Sequence, residues 1–252
     1  MEFSRVFDIH YFQQKAYPLS DAISNKVKGE WVRFSTSDYT RIATEVSFGL
    51  MKLGIKKDDK VAIISHNRTE WNFADLGIQQ IGAVGVPLYP TITVEDYRFI
   101  LNDSETKLVF VANAEILEKV REAIAGNDRI IGIYTFDQIQ GANHWTEIQE
   151  MGKGRPLQEI ENYKATVTDQ DLLTIIYTSG TTGTPKGVML THANLVSNVK
   201  ACIPLMPVGH GDRALSFLPL CHIYERMLNY LYTSVGVSIY YAESLDTISD
   251  NL

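Results

Sequence analysis

The sequence predicts an α/β protein with doubly wound, mostly parallel sheets and flanking helices, and three observations favour this fold class. A repeat of about twenty-three residues begins at position 61, which is long enough for one strand followed by one helix. The predicted strands are apolar or β-branched throughout, which is typical of parallel strands covered by helices on both faces. Capping residues open the segments between them, so right-handed crossovers are expected to join the strands.

Residues 1–60 are predicted to form a helical prelude packed on this body. Within them, apolar residues at helical spacing predict one half-buried helix with a single apolar face: Ile42, Val46, Leu50 and Leu53. Gly54 follows directly and suits the left-handed conformation that commonly ends a helix.

Residues 61–168 are predicted to form a first α/β subdomain, with strands at 61–65, 83–88, 107–111 and 129–135. Asn67 and Thr93 are each followed three residues later by an acidic residue, a pattern that opens helices. The polar, glycine-containing stretch 141–168 is expected to be a connector or a surface insertion.

Residues 169–252 are predicted to begin a second α/β subdomain, with strands at 172–177, 186–190, 213–218 and 237–241. Thr191 is placed to cap the helix that follows the second of these strands.

The loop between the first two strands of this second subdomain combines glycines, hydroxyl groups and a lysine. A buried strand that opens into such a loop presents backbone N–H groups in a concave nest, which favours anionic oxygens. The lysine adds a compact positive charge. The loop therefore predicts a phosphate cradle for a nucleoside triphosphate, formed by Thr178, Ser179, Gly180, Thr181, Thr182, Gly183, Thr184 and Lys186.

This loop differs from the common nucleotide loop in which Gly-Lys is followed by Ser or Thr. Gly180 and Lys186 have the required separation, but Pro185 and Gly187 replace the expected Gly and hydroxyl residue. An apolar strand follows where a long helix would be expected, so we predict a hairpin-like turn between two strands. The alternative is a surface turn that binds no ligand, which explains the clustered hydroxyls and lysine less well.

The segment 177–192 resembles the signature of the AMP-forming, acyl-adenylating enzymes, and the segments 61–71, 85–91 and 217–226 resemble long-chain fatty acyl-CoA synthetases in particular. The resemblance covers nearly all of the chain. It implies the large N-terminal body of an adenylate-forming enzyme, both of whose subdomains carry sheets. The mobile C-terminal domain of that family is not found in this sequence, so the chain is expected to be a portion of a longer protein and inactive alone.

By the same resemblance, the expected substrates are a long-chain fatty acid, ATP and CoA, with Mg²⁺ as the metal. The loop would hold the β- and γ-phosphates, Thr178 would lie beside the magnesium ion, and Lys186 would be a mobile phosphate contact that helps pyrophosphate to leave. His222 would lie by the acyl carboxylate and the α-phosphate, so the resemblance implies catalytic roles for His222 and Lys186. Arg226 stands where some relatives have a gating aromatic residue, which leaves the gate unassigned.

Two other functions remain open at this point. The first is an adenylating ligase for another carboxylic acid, aryl or medium-chain, or a ligase that loads a carrier protein. The second is a non-catalytic nucleotide-binding module that keeps the loop without the reaction.

Composition narrows the function classes further. The net charge of −7 and the pI near 5.4 argue against a dedicated nucleic-acid binder. No run of eighteen apolar residues is present to span a membrane. Two cysteines without metal-ligand spacing fit a reducing compartment. A cytoplasmic location is expected, and peripheral membrane contact is left open.

Overall fold

A computed structural model describes residues 3–178, 184–244 and 246–251 of the chain. Its strands are β1 (Ile23–Val27), β2 (Glu30–Phe34), β3 (Lys60–Ile64), β4 (Val84–Leu88), β5 (Thr106–Val111), β6 (Gly132–Thr135), β7 (Asn143–His144), β8 (Leu172–Thr178), β9 (Lys186–Thr191), β10 (Arg213–Ser216) and β11 (Ser238–Tyr241). Its α-helices are α1 (Val6–Ala16), α2 (Thr36–Lys52), α3 (Thr69–Gln80), α4 (Val94–Asp103), α5 (Ala114–Ala123), α6 (Trp145–Gly152), α7 (Ile160–Lys164), α8 (His192–Cys202), α9 (Ile223–Val235) and α10 (Ile248–Asn251).

The described strands form two sheets. The larger one has the order β7-β6-β5-β3-β4-β8-β9 and is parallel except for β9, which pairs antiparallel with β8. The smaller one has the order β10-β11-β1-β2, in which β2 is the antiparallel strand. The predicted α/β class with mostly parallel sheets is therefore confirmed.

Helices cover both faces of the larger sheet, and β3 shows why its sequence is continuously apolar. Val61 and Ile63 pack into one buried cluster, whereas Ala62 and Ile64 pack into another on the opposite face. Alternate residues of a strand point to opposite faces, so a strand buried on both sides needs apolar residues at every position.

The predicted helix signals are confirmed in three of four cases. The hydroxyl groups of Thr93 and Thr191 each accept a hydrogen bond from the backbone N–H three residues later, of Asp96 and Asn194 respectively. They therefore cap α4 and α8. Gly54 adopts a φ of +92° after α2. The prediction for Asn67 is wrong, because α3 begins one residue later, at Thr69 with Arg68 as its N-cap.

The region 1–60 is not wholly helical, which corrects the predicted prelude. It contains the hairpin of β1 and β2, whose turn residues Lys28 and Gly29 have φ values of +53° and +84°. The hairpin was missed because its partner strand, β11, lies more than two hundred residues later in the sequence, with Ile23 paired to Ile239.

The stretch 141–168 is also more ordered than a polar connector. Its helix α6 packs on α2 so closely that a Cβ atom added at Gly49 would lie 1.9 Å from the carbonyl oxygen of Ile148. Strands β8 and β9 join the larger sheet, so sheet membership does not change at residue 169. The domain boundaries remain a prediction. Within the described residues, no helix is long and apolar enough to cross a membrane.

Candidate functional site

The predicted phosphate loop connects β8 to β9 at an edge of the larger sheet. Thr178 and Lys186 are the last pair of the hairpin ladder, and both are exposed at its open end. Thr184 is exposed beside them. The predicted contacts Ser179, Gly180, Thr181, Thr182 and Gly183 lie outside the described residues.

The strands below this loop are packed tightly. A Cβ atom at Gly187 would lie 2.8 Å from Cγ2 of Ile175 and 3.2 Å from Cζ of Tyr177, so no larger residue fits there without a shift. The hydroxyl group of Tyr177 donates a hydrogen bond of 2.6 Å to Asp103 at the end of α4. These contacts fix the hairpin next to the loop. They also explain why Gly187 stands where the common nucleotide loop has Ser or Thr.

His222 follows β10 and a short turn, and it is the N-cap residue of α9. Its side chain is exposed, and its Nδ1 atom accepts a hydrogen bond from the backbone N–H of Tyr224 at 3.2 Å. An imidazole that accepts at Nδ1 and is neutral carries its proton at Nε2. His222 is therefore arranged to donate from Nε2 to an oxygen atom of a ligand.

Asn67 holds the turn that precedes His222. Its side-chain amide donates to the carbonyl oxygen of Leu218 at 2.7 Å and accepts from the N–H of Leu220 at 2.9 Å. Sequence analysis assigned Asn67 to a helix cap and missed this role. The only local signal was its place directly after β3, where polar residues of parallel sheets often meet a ligand.

The hairpin and the His222 turn lie on the same side of the larger sheet. Asn67 follows the carboxyl end of β3, and Thr178 is the carboxyl end of β8, while β4 runs parallel between these two strands. Burial raises the pKa of Tyr89, which follows β4, and the neighbouring Cys221 adds a smaller contribution. The carboxyl edge of a parallel sheet is the usual position of ligand sites in such folds.

Two ionisable residues follow His222 and are buried in α9. Burial raises the pKa of Glu225, whose carboxylate accepts a hydrogen bond of 2.5 Å from Ser216. Arg226 forms an ion pair of 2.5 Å with Asp75 of α3. With 1% of its surface exposed, Arg226 does not line an open gate.

The described residues contain no cluster of three or more His, Cys, Asp or Glu side chains that could hold a metal ion. Thr178 offers one hydroxyl oxygen at the mouth of the hairpin. In nucleotide sites a Ser or Thr hydroxyl can be one ligand of magnesium, and substrate phosphates and water supply others. The Thr178 hydroxyl would therefore suit one coordination position of a magnesium ion that arrives with a nucleotide.

The α/β body of this chain has the fold of solved structures that include the N-terminal domain of FACL13 from Mycobacterium tuberculosis. The AMP-binding enzyme family matches residues 12–251, and the chain belongs to this family.

Curated relatives and a solved structure agree with this membership. A long-chain-fatty-acid–CoA ligase, FadD15 of Mycobacterium bovis, is 32% identical over 208 residues, which are 81% of this chain and 34% of that protein. The chloroplastic long-chain-fatty-acid–[acyl-carrier-protein] ligase AEE15 of Arabidopsis thaliana is 31% identical over 224 residues, which are 81% of this chain and 30% of that protein. The inhibitor-bound N-terminal domain of FACL13 from Mycobacterium tuberculosis has a TM-score of 0.81 at 23% identity and covers 98% of this chain and 59% of that one. This chain thus spans about a third of the length of the two curated relatives.

Proposed function

We propose that this chain supplies the triphosphate-binding part of an ATP-dependent ligase that activates a long-chain fatty acid. In the first step, an oxygen of the fatty acid carboxylate forms a bond to the α-phosphorus of ATP, and the bond from that phosphorus to pyrophosphate breaks. In the second step, the sulfur of CoA loses its proton to solvent and forms a bond to the acyl carbon. The bond from that carbon to the bridging oxygen breaks, and AMP leaves with this oxygen and its electron pair.

The observation that carries the proposal is the pairing of Thr178 and Lys186 at the open end of the hairpin. This pairing places a hydroxyl group and an ammonium group on the two sides of the loop entrance. A positive charge placed where the charge of pyrophosphate develops lowers the barrier to its departure. Magnesium bound with ATP would supply further positive charge to the same phosphates. His222, with its proton at Nε2, would donate to an oxygen of the α-phosphate or of the carboxylate.

A long-chain acyl group is favoured by the relative FadD15, whose name states that substrate. The Arabidopsis relative favours a second candidate, in which a carrier protein and not CoA receives the acyl group. The two candidates share the adenylation step and differ only in the thiol that attacks the adenylate.

Nucleotide binding by the 252-residue chain is the first test. We expect Lys186→Ala to weaken the binding of Mg–ATP by about tenfold to a hundredfold, since a charge-assisted contact to phosphate contributes on the order of 1.5–3 kcal/mol. The control is Lys52→Ala, because Lys52 is exposed at the end of α2, before β3 and so at the opposite edge of the larger sheet. Equal affinities for the two variants, measured by titration calorimetry, would refute the proposed role of the hairpin.

The acyl substrate is tested in the protein that the complete reading frame encodes. We expect pyrophosphate release that depends on the acid and increases from medium-chain to long-chain fatty acids. Preference for an aryl acid would refute the long-chain assignment and leave adenylation intact. Supplying CoA or an acyl carrier protein in parallel reactions decides between the two acceptors.

A further inference from the structure

Arg226 is the most deeply buried cation among the described residues, and its contacts reach three elements. Its Nη2 atom donates to Asp75 of α3 at 2.5 Å, its Nη1 atom donates to the hydroxyl group of Thr174 in β8 at 2.8 Å, and its Nε atom donates to Tyr230 of α9 at 2.8 Å. The ring of Trp71 lies 5.5 Å from the guanidinium carbon. Tyr230 in turn donates to Asp75 at 2.6 Å, so the network closes on itself.

The first half of α9 lies between the two sheets and bonds to both. On one side, Glu225 accepts from Ser216 of β10, and Asn229 accepts from the hydroxyl group of Tyr241 in β11 at 2.8 Å. On the other side, Arg226 reaches β8 of the larger sheet. Glu225 and Arg226 are adjacent in sequence, and each bonds to a different sheet. The helix can therefore take only one orientation about its axis, because any other orientation would leave buried charges unpaired.

The residue bonded by Arg226 also connects to the phosphate hairpin. Thr174 donates to the carbonyl oxygen of Gly85 in β4 at 2.7 Å. Thr174 itself lies in β8, which ends four residues later at Thr178. At the other end of the connection, the N–H of Arg226 donates to the carbonyl oxygen of His222 at 3.2 Å. One guanidinium group therefore connects the backbone that carries His222 to the strand that carries Thr178.

We propose that Arg226 is a positioning residue that fixes His222 relative to the hairpin of β8 and β9. It touches no substrate, and it acts by holding the first turn of α9 against β8 and α3. This inference rests on the proposed function, since it assigns the two positioned groups to one reaction.

The substitution that tests this role is Arg226→Lys, which keeps the charge but lacks the planar fork that reaches several partners at once. In the ligand-free chain with carbon-13-labelled histidine rings, we expect the His222 ring signal and the Tyr224 amide signal to shift. The matched control is Lys164→Met, because Lys164 is also a buried cation, 4% exposed and paired with Glu161 at 2.7 Å, but it packs on Tyr11 of α1. We expect the control to lower stability without moving the His222 signals.

A second readout is kinetic and uses the protein encoded by the complete reading frame. We expect Arg226→Lys to lower kcat for acid-dependent pyrophosphate release by about tenfold to a hundredfold with little change in KM for ATP, because a small misplacement of a reacting group has effects of this size. A purely structural role predicts that both substitutions reduce activity only in proportion to the folded fraction.

Should Arg226→Lys fail to fold, the double substitution Asp75→Leu with Arg226→Met removes both charges together, an exchange that cores often tolerate. The same shifts are expected there. Unmoved His222 and Tyr224 signals in the folded variant would overturn the proposal. Absence of Mg–ATP binding by the unsubstituted chain would instead refute the proposed function, whereas the ligand-free signals would still decide the role of Arg226.

Discussion

The hairpin of β8 and β9 and the turn that carries His222 lie on the same side of the larger sheet, but they are anchored differently. The base of the hairpin is bonded through Thr174 to Gly85 and Arg226. Its open end is held by the backbone pairing of β8 with β9 and by exposed contacts such as that of Tyr177 with Asp103. The His222 turn is held by side chains, namely Asn67 outside and Arg226 with Asp75 inside. The difference indicates that single side-chain substitutions will disturb the His222 turn more than the open end of the hairpin.

The largest difference between the two regions is expected when one carboxylate is removed from each. Asp75→Ala leaves the buried Arg226 charge without its partner, which we expect to lower the free energy of unfolding by about 3–5 kcal/mol. Asp103→Ala removes an exposed hydrogen bond of the hairpin, for which we expect at most about 1 kcal/mol. Urea unfolding of the two variants measures both values. Similar losses would show that the two regions are anchored alike.

The second effect concerns pH and His10, which stacks edge-on against Tyr39 and Tyr230 near the Arg226 network. Burial lowers its pKa from 6.5 to about 3. Below pH 6.5, His10 therefore binds a proton in the unfolded chain but stays neutral in the folded chain. Stability is lost as the pH falls from 6.5 towards 3. Each unit by which the pH falls in this window lowers the free energy of unfolding by up to about 1.4 kcal/mol. The expected loss between pH 6.5 and 5 is about 2 kcal/mol.

The comparison for this prediction is His10→Phe, which keeps an aromatic ring and cannot titrate. We expect its free energy of unfolding to fall less steeply between pH 6.5 and 5 than that of the unsubstituted chain. Burial lowers the pKa of His192 to about 4, so a residual slope from that residue should persist in both proteins. Parallel stability curves would contradict the prediction.

The third effect concerns Asn67. Asn67→Ala removes both hydrogen bonds to the turn before His222, and we expect a loss of about 1–2 kcal/mol. Hydrogen exchange should become faster at the amide of Leu220, which loses its acceptor, and stay unchanged along β8. The matched substitution Asn67→Asp keeps an acceptor, so Leu220 should remain protected. Faster exchange in β8 as well would mean that the hairpin depends on the turn.

The two regions also differ in how much of them the sequence predicts. The hairpin was predicted because its signals are local: an apolar strand, a glycine- and hydroxyl-rich loop and a lysine follow one another within twenty residues. The same holds for the caps Thr93 and Thr191, whose bonding partners lie three residues away.

The anchors of the His222 turn were not predicted, because their partners are 151 or more residues apart in sequence. Asn67 was predicted to cap a helix, and Arg226 stands where some relatives have a gating aromatic residue, which left the gate unassigned. The fold places Asn67 against Leu218 and Arg226 against Asp75. Pairing of β1 with β11 was missed for the same reason. A single sequence predicts features whose interacting residues are close together in the chain. The partners of a buried polar side chain depend instead on the tertiary fold.

The smallest effect is expected for Tyr177→Phe, and it examines the hairpin alone. The ring packs against Gly187 and is retained, so the substitution removes the hydroxyl group that bonds to Asp103 and keeps the ring contacts. Because Asp103 is exposed, water replaces the lost donor, and we expect the free energy of unfolding to change by less than about 1 kcal/mol. Affinity for Mg–ATP, measured beside that of Lys186→Ala, should stay close to the unsubstituted value. A large loss of affinity would show that Tyr177, and not backbone pairing with β9, holds the loop entrance in place.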